Sequence, residues 1–269
     1  MKKIFFNLIL FIFLALITLI IILSTIGIET NRFNKLISKK INQSNHNINL
    51  KLNTIKFKLD VKEIGLFIET NNPKIDYRDN LIPAENIKIY VDFISILKTD
   101  PKIKKINLVL KKIDIEELKK MSVAFKPSNF TSLLNNKITQ GELSTEIEFY
   151  LNDSNLLANF IARGSVSDLN VKIINDIDLK KTNFNFFADK SDILLTNIYS
   201  ETGPLKIIDG DLKLNLSTEI FFESNFKTNF KYNFKSKNYL NLIKDYKYLK
   251  NIVTLEANLN NSLAINFDK

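Results

Sequence analysis

From Asn49 onward apolar residues fall on every second position, and a chain written in that rhythm has few folds open to it. Leu50 and Leu52, then Ile55, Phe57 and Leu59, then Ile106, Leu108 and Leu110 keep the period, as do Thr145, Ile147, Phe149 and Leu151. It continues through Leu169, Val171 and Ile173, Phe184 and Phe186, Ile193 and Leu195, and Leu212, Leu214 and Leu216 to Leu255, Ala257 and Leu259. Such alternation writes strands with one apolar face, the intervening Lys, Asn, Asp and Glu facing water. Turn chemistry punctuates the strands at Asn71-Asn72-Pro73, Asp100-Pro101, Gln140-Gly141, Asn152-Asp153-Ser154, Arg163-Gly164, Gly203-Pro204, Asp209-Gly210-Asp211 and Asn260-Asn261. Strands joined by such short turns pair as an antiparallel meander. The expected fold is therefore mainly β, a long curled antiparallel sheet, whose apolar face must be covered by a second sheet, a helix, its own curl or a ligand.

Helices are few in this pattern. Asn31–Ser44 is expected to continue from the N-terminal segment, Asp92–Lys98 to make a brief apolar turn, and Asp114 to cap a helix over Ile115–Met121. Pro127-Ser128 opens another through Leu134, and Tyr239, Leu242, Ile243, Tyr246 and Leu249 recur at helical spacing within Lys237–Leu249. Their expected role is to cap the sheet.

The start of the chain obeys a different rule. Met1-Lys2-Lys3 precedes a run from Ile4 to Ile28 that contains no charge, and about 20 apolar residues span a bilayer core as a helix. A cleaved signal peptide has a shorter apolar region ending in small residues, whereas Ser24-Thr25-Ile26-Gly27-Ile28 offers no such site. The reading is an uncleaved anchor over 1–28, a juxtamembrane helix or linker over 29–48 and a β-rich domain over 49–269. A short basic tail before a long apolar run places that domain outside the bacterial inner membrane, in the periplasm.

Composition removes most chemistry. The 269 residues include no cysteine and one histidine, His46, so disulfides, thiolate nucleophiles and the usual zinc and iron–sulfur ligand sets are lacking. Six scattered glycines form neither a dinucleotide fingerprint nor a P-loop. Glu116-Glu117, Glu146 with Glu148, and Asp209 with Asp211 are the nearest approaches to paired carboxylates, and each is also what a solvated strand or turn looks like. No catalytic residue, metal site or cofactor is expected, and the chain reads as no enzyme. The net charge is +9, but arginine occurs only at Arg32, Arg78 and Arg163; the clustered guanidinium forks of a nucleic-acid reader are missing, so nucleic acid is not an expected partner.

Ile82–Leu97 (IPAENIKIYVDFISIL) followed by Pro101–Leu108 (PKIKKINL) resembles the N-terminal region of AsmA-like proteins, in which an inner-membrane anchor is followed by strands, a short turn and further strands. Gly164–Val171 (GSVSDLNV) and Gly203–Asp211 (GPLKIIDGD) are similar to later strand pairs of larger members. The resemblance implies a curled sheet forming a hydrophobic groove, as in bridge-like lipid carriers related to the chorein and TamB proteins. It further implies phospholipid movement between membranes or upkeep of the outer membrane. About a dozen strands at roughly 4.8 Å give a groove of about 60 to 70 Å, which implies partners, shuttling or a longer chain. The expected function is thus an inner-membrane-anchored periplasmic protein that binds or transfers phospholipid acyl chains, with Leu108, Leu110, Ile147, Phe149, Phe184, Phe186, Leu214 and Leu216 as candidate groove residues. The alternative is a non-enzymatic envelope assembly or scaffold protein that holds other envelope proteins through strand edges.

Overall fold

A computed structural model of the chain describes residues 2–31, 34, 35, 38, 48–62, 65–91, 102–122, 128–152, 154, 156–174, 177–216, 220–233 and 252–265. The helices expected over Asp92–Lys98 and Lys237–Leu249, most of the one over Asn31–Ser44, and His46 lie outside those residues. The chain is mainly β. It opens with α1 (Lys2–Thr25), long and apolar enough to cross a membrane, a property that anchors and signal sequences share.

The end of α1 sets the path of the chain into the sheet. The amides of Ile26 and Gly27 both donate to the Ile22 carbonyl, at 3.0 and 2.9 Å, and Gly27 takes φ +74°, the left-handed conformation that closes many helices. A Cβ there would stand 2.6 Å from Lys58 Cγ and 2.8 Å from the Phe57 carbonyl. The next residues, Ile28–Thr30, are already β1, with Ile28 opposite Phe57 and Thr30 opposite Ile55. The helix therefore does not run on toward Ser44: Gly27 turns the chain straight into a strand.

The remaining strands are β2 (Ile48–Lys51), β3 (Ile55–Asp60), β4 (Gly65–Asn71), β5 (Lys74–Tyr77), β6 (Asn80–Ile82), β7 (Ala84–Val91), β8 (Ile103–Leu110) and β9 (Ile113–Asp114). After α2 (Ile115–Ser122) and α3 (Asn129–Lys137) come β10 (Ile138–Leu151), β11 (Leu157–Ile174), β12 (Ile177–Ala188), β13 (Asp192–Thr202), β14 (Leu205–Asn215), β15 (Ile220–Asn233) and β16 (Ile252–Ile265). The hydrogen-bonded order of the long antiparallel sheet is β1-β3-β4-β7-β8-β10-β11-β12-β13-β14-β15-β16, with β9 beside β10; β2, β5 and β6 form a separate small sheet. The expected meander holds from β10 onward. The expected Asp114 cap is present, its Oδ1 accepting from the Glu117 amide at 2.8 Å, and α3 opens on a capping box of Ser128 and Thr131.

The chain divides into two compact units, Met1–Leu110 with Ile147–Phe160, and Lys111–Glu146 with Ile161–Lys269. In the first, register brings Phe57, Ile68, Ile89 and Ile106 into one row and Ile55, Thr70, Ile87 and Leu108 into the next. The small sheet covers this face. Leu50 of β2 and Ile75 of β5 are buried with Ala84, Ile87, Ile89 and Val91, and Leu52, Ile82 and Leu108 pack against them. The β5–β6 hairpin that makes this cover turns at Arg78 and Asp79, both left-handed (φ +48° and +63°). Such a two-residue turn usually advertises itself with Asn-Gly, so sequence reading passes over it.

In the second unit four expected turns prove to be strand interior. Gly141 lies in β10, Gly164 in β11, Gly210 in β14 and Asn260-Asn261 in β16. The glycines mark close approach instead. A Cβ on Gly164 would run into the Ser144 carbonyl, and one on Gly210 into the Phe226 ring, so the bare backbone makes room for a neighbouring strand's atoms. Gly203, by contrast, is a true turn residue with φ +53°, between Thr202 and its partner Leu205. Gly164→Ala is expected to lower unfolding free energy by about 1–3 kcal/mol, because a backbone carbonyl cannot step aside. Gly203→Asn should change it by less than about 1 kcal/mol, asparagine tolerating the left-handed region; urea titrations of both variants check this contrast.

Candidate functional site

The second unit writes its apolar face as rows. Across β11 to β16, Ala162, Ala188, Ile193, Leu214, Phe222 and Leu263 are successive cross-strand partners. The next row is Gly164, Phe186, Leu195, Leu212, Ser224 and Asn261. Further along, Gly210 pairs with Phe226 and Phe226 with Leu259, while Leu205 pairs with Phe230 and Phe230 with Leu255. Directly opposed residues share a face, so one surface carries leucine, isoleucine and phenylalanine. The other carries Lys213 opposite Glu223, Asp211 opposite Asn225, and Lys206 opposite Asn229.

Most of the apolar residues are only half-buried. Toward the last strand exposure rises: Leu255, Leu259 and Leu263 are 58%, 47% and 54% exposed. Five strand spacings of about 4.8 Å make each row about 24 Å long.

A line of irregularity crosses this surface. Asp168 in β11, Lys181 in β12 and Asn197 in β13 are left-handed (φ +51°, +51° and +56°), and register slips next to them and again between Ile207 and Asp209 in β14. The Asn183 and Asn170 side chains hold two of these bends, accepting from the Asp168 amide at 3.0 Å and the Lys181 amide at 3.1 Å. Bulged strands bend and twist more strongly. On the apolar face beside the bend stand small hydroxyl residues. The Thr182 and Ser200 hydroxyls lie 2.8 Å apart, Thr228 donates to the Ala257 carbonyl at 3.0 Å, and all three residues are buried.

The sequence-derived residues divide between the units. Phe184, Phe186 and Leu214 lie on the apolar face of the second unit, and Leu216 follows the end of β14, 42% exposed. Leu108 packs against the covered core of the first unit, and Leu110 lies opposite Ala84. Ile147 and Phe149 flank Glu148, whose carboxylate accepts from Asn107 at 3.4 Å and from the Tyr150 hydroxyl at 2.6 Å; alternation turns the two apolar side chains to the opposite face. Glu146 pairs with Arg163 at 3.1 Å, so both members of that carboxylate pair are engaged. Ile193, Leu195, Phe222 and Phe226 join the same surface as Phe186 and Leu214. The alternation is enough to name them; the bends that align them are not legible, because Asp168, Lys181 and Asn197 are ordinary polar residues in sequence.

On the polar face one charged cluster stands out. Glu201 accepts from the Tyr199 hydroxyl at 2.6 Å, from Lys206 at 3.0 Å and from Lys181 at 3.2 Å. Led by the Tyr199 hydrogen bond, these hold its carboxyl down at about 2. In the first unit, Glu69 loses water to burial, which opposes ionisation, yet Lys58 at 2.7 Å and the Asn86 amide outweigh that and lower its pKa. Comparison with family models, with curated proteins and with solved structures finds no match.

Because the folded pKa of Glu201 lies below its unfolded value of about 4.3, its contribution to stability is complete above that value. It is lost as pH falls from there toward about 2. Melting temperature measured across this window is expected to fall less steeply in Glu201→Gln than in the parent chain.

Proposed function

We propose that this chain is a membrane-anchored carrier that holds phospholipid acyl chains on the apolar face of β11–β16, and that it works in the bacterial envelope with its sheet in the periplasm. The observation that carries the reading is the set of aligned apolar rows in the second unit, which stay half-exposed where the first unit buries its own apolar face under a second sheet. A row of about 24 Å exceeds the hydrocarbon depth of one leaflet, about half of roughly 30 Å. Each acyl methylene removed from water on such a surface contributes about 0.8 kcal/mol. Affinity would come from many weak contacts, so single apolar exchanges change little while a charge set into a row disrupts several contacts together.

Membrane attachment in this proposal runs through α1, whose C-terminal glycine leads directly into the sheet. The intact mass of the membrane-extracted protein is expected to include α1; a mature N-terminus beyond Thr25 would make the segment a cleaved leader. The carrier reading is tested with a photoreactive residue in the full chain in living cells. Phospholipid adducts are expected at Leu212 and Phe226, on the apolar face, at least about tenfold above those at Lys213 and Asn225 on the other. Phe186→Asp combined with Phe222→Asp should abolish the lipid adducts at Phe226. Adducts to protein alone would move the reading to an assembly scaffold.

A further inference from the structure

The two ends of the long sheet are built differently. β1, at one end, is three residues long and continues directly from α1. β16, at the other, is a strand of 14 residues and has β15 as its neighbour in the sheet among the described residues. Sheet edges are ordinarily blunted by lysine, proline, bulges or shortness. β16 shows none of these: its sequence IVTLEANLNNSLAI contains no proline and no basic residue, and its only charge is Glu256. Its ladder with β15 runs from Ile252 to Ile265 without a register shift.

We propose that β16 pairs edge to edge with β16 of a second copy of this chain, antiparallel, about a two-fold axis at Leu259. The strand's own spacing selects that partner and register. With Leu259 opposite itself, Leu255 meets the second copy's Leu263 and Ala257 meets its Asn261, so apolar face continues into apolar face. On the other side of the ladder Asn258 meets the second copy's Asn260, and Glu256 meets its Ser262, which keeps the two glutamates from opposing each other. A register shift of one residue would set leucines against the polar face, and a shift of two, with the axis at Asn258 or Asn260, would set Leu255 or Leu259 against Asn261 instead of leucine against leucine. An isologous contact of this kind closes as a dimer and satisfies, in both copies, the β16 edge that has no partner strand among the described residues. It also removes from water the most exposed leucines of the apolar face and joins the two surfaces into one of double width. The pairing depends on the β16 edge, not on lipid occupancy.

The chain has no cysteine, so single-cysteine variants report on the pairing without background. In the full chain, solubilised in detergent and treated with copper–phenanthroline as oxidant, Leu259→Cys is expected to give a disulfide-linked dimer. Leu255→Cys and Leu263→Cys should each stay monomeric alone and cross-link when mixed. Light scattering of the parent chain should give twice 31.1 kDa, and Leu259→Lys, which sets two like charges face to face, should weaken association at least tenfold. A monomeric parent chain at micromolar concentration, or equal cross-linking of all three single variants, would overturn the proposal. The cross-linking pattern stands on its own if Leu259→Lys does not fold, and lipid adducts at Phe226 report separately on the carrier reading.

Discussion

Main-chain register is the constraint on which the rest of this protein depends. Each strand from β11 to β16 holds its facing only if it meets its neighbour in the right phase, and a slip of one residue would send Phe186, Phe222 and Phe226 to the polar side. The pairings that hold phase are specific: Phe186 with Leu195, Leu214 with Phe222, Phe226 with Leu259. Where the phase would drift, the chain inserts an extra residue and ties the bulge with an asparagine side chain, as Asn183 and Asn170 do. The bulges are thus corrections that preserve facing, and they bend the surface as a by-product.

The two units answer the same problem in different ways. The first carries enough extra strand, β2, β5 and β6, to lay a second layer over Ile87, Ile89 and Val91, the ordinary sandwich solution. In the second, the small hydroxyl residues Thr182, Ser200 and Thr228 are buried while the leucines of β16 stay exposed.

Much of this is legible in the chain alone. Period-two alternation announces the long antiparallel sheet, and Asp114 announces the cap of α2, because caps and facing are local properties. Where sequence misleads, the cause is shared. Gly164 and Gly210 look like turns since glycine commonly supplies turn geometry, but here it clears space for Ser144 and Phe226, which are remote in sequence. Leu108 and Phe186 look alike in the alternation, yet one meets the core that the small sheet closes and the other does not; that difference is made by the β5–β6 hairpin, whose Arg78-Asp79 turn carries no glycine. Local pattern names the face, and only tertiary structure decides what lies over it.

From β10 to β16, order along the chain and order across the sheet are the same. Each strand needs only the one before it as a template, so the sheet can grow one strand at a time from its earlier end as the polypeptide is delivered. Its stability then resembles that of a linear array, in which coupling passes between nearest neighbours and fades with distance. A defect in β12 would be felt by β11 and β13 long before it reached β16. Such an architecture lengthens or shortens by whole hairpins without redesign of what is already in place.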